Sequence, residues 1–363
     1  MLANFSKLTC CTWLAVFTAL FFAPAGVYAQ STAHPEVPRV TMVLSEMGGT
    51  YGEFSAALDK ILVGKGVLTQ VIDSTGTIPN SGLVIGVGMK AATAVAASDA
   101  PFVLNVLVPK AGHEKLLRDF PLRQTVHAYS AIYLDQPIEL QVHLITAILP
   151  EVKAVGVLFS SPPEELAKLK KEISSHGLSL RVQKVNSEYP LAEALQIILD
   201  SSQVLLALPD AVVYNASTLR NILLSSYRNG VPLVGFSPSY VKAGALCAVF
   251  SPPSQIASQT AGLVTHFTAT HQLPVAQFPE EFEVMVNDQV AHSLGLRIKG
   301  ATTLHDQIKA ANQVRGGGGG PGIVTELSGN RCLWHLCLFW SWHYCWKIIL
   351  FTRALTTWNR PCL

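Results

Sequence analysis

Between Arg39 and Leu296 the chain repeats one pattern: a short run of apolar, often β-branched residues, then a longer stretch in which apolar positions return every third or fourth residue. The short runs predict strands at 40–45, 67–72, 83–87, 102–108, 128–134, 154–159, 179–185, 204–208, 233–235, 246–250 and 282–286. Most are apolar at every position rather than at alternate positions. That marks strands covered on both faces, as in a parallel sheet flanked by helices. The longer stretches predict helices over 52–62, 89–97, 135–149, 164–175, 213–228 and 254–268, with another striped by Leu191, Leu195, Ile198 and Leu199. Asp135 stands where an N-cap would, with Pro137 in the first turn and Ile138, Val142, Ile145 and Leu149 at helical spacing. Ser161 and Glu164 have the spacing of a capping box.

Strand–helix–strand alternation of this kind predicts a doubly wound α/β architecture, with more strands than one sheet comfortably holds. The helix beginning at Asp135 falls near the middle of the repeating region, so the pattern divides into two similar lobes. Residues 36–134 form the first, completed by 239–273 after the chain returns near Pro238. Residues 135–238 form the second, completed by 279–300 after a further crossing near Pro274 and Pro279. Beyond Gln313 the character changes, with five glycines at 316–320 followed by an aromatic stretch holding five of the six tryptophans. Residues 314–363 are therefore set apart from the fold.

Composition narrows the function classes. With 49% hydrophobic and 14% charged residues, the chain can bury large cores. A net charge of +2 without a basic cluster argues against a nucleic-acid partner. Lys7, the apolar run 8–22 and Val27-Tyr28-Ala29 together have the form of a secretory signal, with cleavage expected after Ala29 and a periplasmic destination. Of seven cysteines, two fall within that signal and four after residue 330, which leaves Cys247 alone in the body as a buried small hydrophobe.

The chemistry-bearing motifs are few. Gly86-Val-Gly88-Met-Lys-Ala91 follows a strand and opens a helix, as a dinucleotide fingerprint does. The next strand ends Val108-Pro109-Lys110, without the acidic residue that would hold a ribose. No cofactor is expected. The same turn serves either as a plain tight turn or as a helix N-terminus that receives a ligand carboxylate. The histidines show no metal-ligating pattern and no nucleophile elbow occurs, so no catalytic residue is assigned and an enzyme is not expected. Asp210, Asn215 and Ser217 follow a buried strand, where open α/β folds place ligand-binding groups; helix capping explains them equally well. Tyr129, Tyr133, Tyr214 and Tyr240 offer rings that either stack on a ligand or belong to the core.

A series of short motifs in order then carries a resemblance: 130–137 leading into a long helix, Ala154-Val-Gly-Val-Leu158, Leu205-Leu-Ala-Leu-Pro-Asp210, Val231-Pro-Leu-Val-Gly-Phe-Ser-Pro238, Tyr240-Val-Lys-Ala-Gly-Ala245 and Phe278-Pro-Glu-Glu-Phe-Glu-Val284. From Pro38 to Ile308 the chain resembles the ABC-transporter substrate-binding protein family, in the branch related to tryptophan- and tyrosine-binding receptors. The resemblance implies a type I periplasmic-binding-protein fold, two Rossmann-like lobes joined by a hinge, with a small organic ligand, amino-acid-like or aromatic, held between them. It implies an ABC permease in the inner membrane as partner. A ligand-sensing partner of a membrane signalling protein is the alternative, and an exported α/β enzyme stands further off. The family's ligand contacts map onto Ser45, Glu46, Gly88 and Ala91 in the first lobe and Ser160, Asp210, Asn215, Phe236 and Gly244 in the second. At Gly88-Met89-Lys90 many amino-acid-binding relatives carry a hydroxyl residue that this chain lacks.

Overall fold

The computed structural model describes residues 38–125 and 127–316. The expected signal (1–29) and the glycine-rich, aromatic tail from 317 onward lie outside the described residues.

Five strands form the first sheet: β1 (Arg39–Leu44), β2 (Leu68–Asp73), β3 (Leu83–Val87), β4 (Phe102–Val108) and β5 (Tyr129–Tyr133). They lie in the order β2-β1-β3-β4-β5, all parallel. Between them run α1 (Gly49–Val63), α2 (Met89–Ala96) and α3 (Lys110–Asp119). The central strands β1, β3 and β4 are buried along nearly their whole length, which is why their sequence is apolar except at Arg39, Thr41 and Asn105. β2 lies at the sheet edge and is largely exposed.

The second sheet repeats this plan. Its elements are α4 (Ile138–Ile148), β6 (Ala154–Phe159), α5 (Leu166–Ser175), β7 (Ser179–Lys184), α6 (Leu191–Ser201), β8 (Val204–Leu206), α7 (Leu219–Arg228), β9 (Leu233–Gly235), α8 (Pro238–Ala243), β10 (Cys247–Phe250) and β11 (Glu283–Val286). Read from β7, the order is β7-β6-β8-β9-β10-β11. Its first five strands are parallel and reproduce the first sheet's order, and β11 closes the edge antiparallel to β10. The expected fold of two Rossmann-like lobes is what the chain adopts.

The chain passes between the lobes three times. It leaves the first after β5 and enters the second at α4, whose buried face joins Val155, Val157 and Val204 in one core. It returns after β10 with α9 (Pro253–Thr270), whose Ile256, Val264 and Phe267 pack with Phe54, Leu58 and Leu62 of α1. It crosses again between Phe278 and β11, then ends with α10 (Asp288–Ser293) and α11 (Ala301–Gly316), where Leu304 and Ile308 enter the second core. The return falls later than the sequence suggests. Residues 239–250 belong to the second sheet, because β10 pairs with β9 and β11 there, and only the stretch from α9 through Leu273 completes the first lobe. Segment 273–277 then runs beside β5, with Tyr133 N–H donating to the Gln277 carbonyl (2.9 Å) and Gln277 N–H to the Ala131 carbonyl (2.8 Å).

Cys247 is fully buried in β10, and burial raises its thiol far above the ordinary range. Among the described residues no helix is long and apolar enough to cross a membrane.

Candidate ligand-binding cleft

Three groups of residues gather at the carboxyl ends of the parallel strands. The first lies where β1 and β3 end. Ser45 Oγ donates to the Val87 carbonyl (2.8 Å) and accepts from the Ala91 amide (3.0 Å), which ties the end of β1 to the first turn of α2. Gly88 caps that helix with φ 81° and ψ 169°, a backbone conformation essentially restricted to glycine. A methyl group there would sit 2.7 Å from Ser45 Oγ and 2.7 Å from the ring of Tyr51 on α1, so the turn is both strained for other residues and roofed by an aromatic ring. Burial, then the nearby Glu46 carboxylate, raises the Tyr51 phenol above its usual range. The Met89 and Lys90 amides, as the first in the helix, have no intrahelical acceptor and form its positive end. Glu46 is exposed beside this turn and Ala91 is fully buried beneath it. Gly86 answers a separate need: its Cβ would lie 2.8 Å from Asn105 Oδ1 and 3.2 Å from Ala92 Cα, so its absence lets α2 settle on β3.

The second group lies where β6 and β8 end. Asp210 Oδ2 accepts from the Ser160 amide (2.7 Å) and Ser160 Oγ (2.8 Å), while its Oδ1 accepts from the amides of Val212 (2.9 Å) and Val213 (3.2 Å). One carboxylate thus pins two loops together. Asn215 is turned inward on its own loop. Its Nδ2 donates to the carbonyls of Ala211 (3.0 Å) and Val212 (3.2 Å), and its Oδ1 accepts from the amides of Ser217 (3.0 Å) and Thr218 (3.2 Å). The helix expected from Val213 begins only at Leu219, because this side-chain-bonded turn occupies 211–218. Phe236, half-buried after β9, packs 4.5 Å from the ring of Tyr240. Gly244 stands apart. It ends α8 with φ 121° and precedes the amino end of β10, level with the amino end of the parallel strand β9, on the edge of the sheet opposite the other candidates. Its place in the fold is that of a turn residue.

The third group joins the lobes, and sequence reasoning did not assign it to the site. Lys110, which opens α3 after β4, places Nζ 2.6 Å from Glu165 Oε1 of the second lobe and 3.6 Å from Glu114. Arg118 pairs with Glu164 in the same direction. Asp135, after β5, accepts from the Lys110 amide instead of capping α4, whose N-cap position is held by Pro137 without a side-chain hydrogen bond. Burial pushes the Asp135 carboxyl up to about 6 against the opposing pull of that hydrogen bond. Glu114 is also pushed up to about 6, first by burial and then by a hydrogen bond shared with Glu164 across the lobes. The proposed capping box at Ser161 and Glu164 does not form; α5 begins at Leu166, and Glu164 and Glu165 are turned to the first lobe. A cavity of about 90 Å³ lies among Lys110, Asp135, Gln136, Gln141, Glu165 and Leu208. Gln136 and Gln141 give their amide hydrogens to Ser251 Oγ (2.8 Å) and the Gln136 carbonyl (3.0 Å), while their side-chain oxygens are buried with no partner. The positional rule that selected Asp210 would also have found Lys110 and Asp135, since both follow strands at their carboxyl ends.

The four tyrosines singled out from sequence pack with other rings. Tyr129 stacks on His113 (5.3 Å) and accepts from Asn105 Nδ2 (2.9 Å), and Tyr133 meets Phe278 edge-on (5.2 Å). Tyr214 and Tyr240 are buried against each other. His113 is itself buried, which lowers its imidazole to about 4.

Comparison with known proteins bears on this architecture. No curated protein matches the chain. Among solved structures, the ABC domain in complex with L-Trp from Streptococcus pneumonia aligns with a TM-score of 0.56 at 18% identity, covering 74% of this chain and 98% of that one. A conserved domain protein from Vibrio cholerae aligns at 0.55 and 22% identity with the same coverage. The ligand-free, open structure of CD0873, a substrate binding protein with adhesive properties from Clostridium difficile, aligns at 0.57 and 15% identity, covering 73% and 97%. At these identities the likeness is one of fold, the type I periplasmic binding fold. The family described as ABC transporter substrate binding protein matches residues 81–307, well over half of the chain, and to that family this protein belongs.

Proposed function

We propose that this chain is an extracytoplasmic solute-binding protein that captures a small organic ligand between its lobes and delivers it to an ABC importer. The observation that carries the reading is the meeting of two sheets of the same strand order at their carboxyl ends, where open α/β folds hold ligands. Support for an amino-acid-like ligand comes from the complementary polar groups at that edge. The positive end of α2, with Lys90 on its first turn, suits a carboxylate. The unpartnered amide oxygens of Gln136 and Gln141, beside Asp135, suit an ammonium group. The L-Trp bound to a structural neighbour points to the same class. Ser160 and Asp210 contribute by holding the second-lobe loops in place.

A thermal-shift screen with the twenty amino acids and small carboxylic acids tests this, because a ligand at 100 times its dissociation constant stabilises by about 2.7 kcal/mol. At least one amino acid is expected to raise the melting temperature by several degrees. No shift with any of them at millimolar concentration would overturn the ligand class.

A further inference from the structure

On the outer face of the second lobe, away from the cleft groups, α4 and α5 bring together three metal-ligating side chains. Glu172 lies in the last turn of α5, His176 four residues on is the residue that caps the helix's carboxyl end, and His143 meets them from α4. One ligand atom from each lies within 4.8 Å of the others. We propose that His143, Glu172 and His176 bind a divalent transition-metal ion of the zinc class.

The local geometry favours this chemistry in four ways. Two imidazoles and a carboxylate with a further position for water is a donor set suited to Zn²⁺, Co²⁺ or Ni²⁺ rather than to Ca²⁺ or Mg²⁺, which prefer all-oxygen shells. His176 Nδ1 lies 3.0 Å from the Glu172 carbonyl. The same Nδ1 lies 3.6 Å from Glu172 Oε1, and a proton held on it by the carbonyl leaves Nε2 as the lone-pair donor, as backbone carbonyls do for ligating histidines. The rings of His143 and His176 meet edge-to-face at 5.3 Å, close enough for both to reach one ion. One turn earlier on both helices, Lys168 and Glu139 form an ion pair (3.0 Å) that holds the two helices in this register. Metal–nitrogen bonds of about 2.0–2.1 Å imply donor separations near 3.3 Å in a tetrahedral site. A side-chain adjustment of up to about 1.5 Å therefore closes the set, and Glu172, with three rotatable bonds, can supply most of it. The site is sheltered, with His143 buried and the side chains of Glu172 and His176 only 15% and 17% exposed.

The test is metal uptake by the full chain, measured by equilibrium dialysis with Zn²⁺ and by the visible absorption of bound Co²⁺. Cys332, His335, Cys337, His343 and Cys345 can also take up metal, so the quantity read is the difference from variants. The pair His143→Ala/His176→Ala is expected to bind one equivalent fewer than the unaltered chain, and Glu172→Gln to bind that equivalent at least about tenfold more weakly. Should the His143 change unfold the protein, His176→Gln alone, with metal-free melting as the folding control, carries the same expectation. Uptake and Co²⁺ spectrum unchanged in folded variants would overturn the assignment and leave the cluster a packing contact.

Discussion

Asp210→Ala separates a scaffold role from a ligand role at the second-lobe edge. The carboxylate accepts four hydrogen bonds, two from Ser160 at the end of β6 and two from the turn after β8. Hydrogen bonds to a charged group are each worth about 1.5–3 kcal/mol. Truncation lets water reach part of this exposed loop, and neighbouring bonds are not additive. A net loss of about 3 kcal/mol follows, which for a chain of this size lowers the melting temperature by about 4–5 °C. Asp210→Asn keeps one acceptor oxygen and turns an NH₂ group toward the other donors, so it retains at most two of the four bonds and is expected to melt between the two. Denaturant and thermal melts read the stability, and calorimetry with a ligand from the screen reads affinity. Melting unchanged in Asp210→Ala, with binding abolished, would refute the reasoning and make the carboxylate a direct ligand contact.

Other outcomes follow from the same geometry. Gly88→Ala forces a side chain into a glycine-only conformation and against Ser45 and Tyr51, and is expected to cost about 1–3 kcal/mol for the backbone alone. Adding Tyr51→Ala should recover part of that loss, and strictly additive melts would contradict the packing described. The Asp135 and Glu114 carboxyls, both raised to about 6 in the folded chain, bind protons there that the unfolded chain, titrating near 4, has already released. Their contribution to stability is therefore fully present below pH 4 and is lost as pH rises to about 6. Asp135→Asn should flatten that part of the stability–pH profile, and an unchanged profile would show that the carboxyl titrates normally. Cys247 should resist alkylation by iodoacetamide in the native protein and react on unfolding; rapid native labelling would contradict its burial.

The strands were legible because the physics that buries them is written into consecutive residues: 83–87 and 154–159 are apolar throughout, 102–108 is apolar except at Asn105, and all three form strands over those same bounds. Helix α3 was missed because it is mostly polar and buries only His113 and Leu116, too little for an apolar stripe. The return to the first lobe was placed too early because an apolar run such as 246–250 fits either sheet; only its pairing with β9 and β11 decides. At the cleft, the rule about strand ends pointed to Asp210, the glycine motif to Gly88 and the family resemblance to Ser45, and all three lie at carboxyl ends of parallel strands. None of these signals could show that Asn215 turns onto its own loop, nor that Lys110 meets Glu165, 55 residues away in sequence. The cluster of His143 with Glu172 and His176 was invisible for the same reason, since two helices must pack before its three residues meet.

The central claim is that one ligand is held by both lobes at their facing edges. Hydrogen–deuterium exchange with and without a ligand that raises the melting temperature tests it most directly. The account predicts slower exchange on binding in residues 86–92 of the first lobe together with 158–166 and 207–213 of the second. Protection confined to one lobe, or centred away from these strand ends, would contradict it.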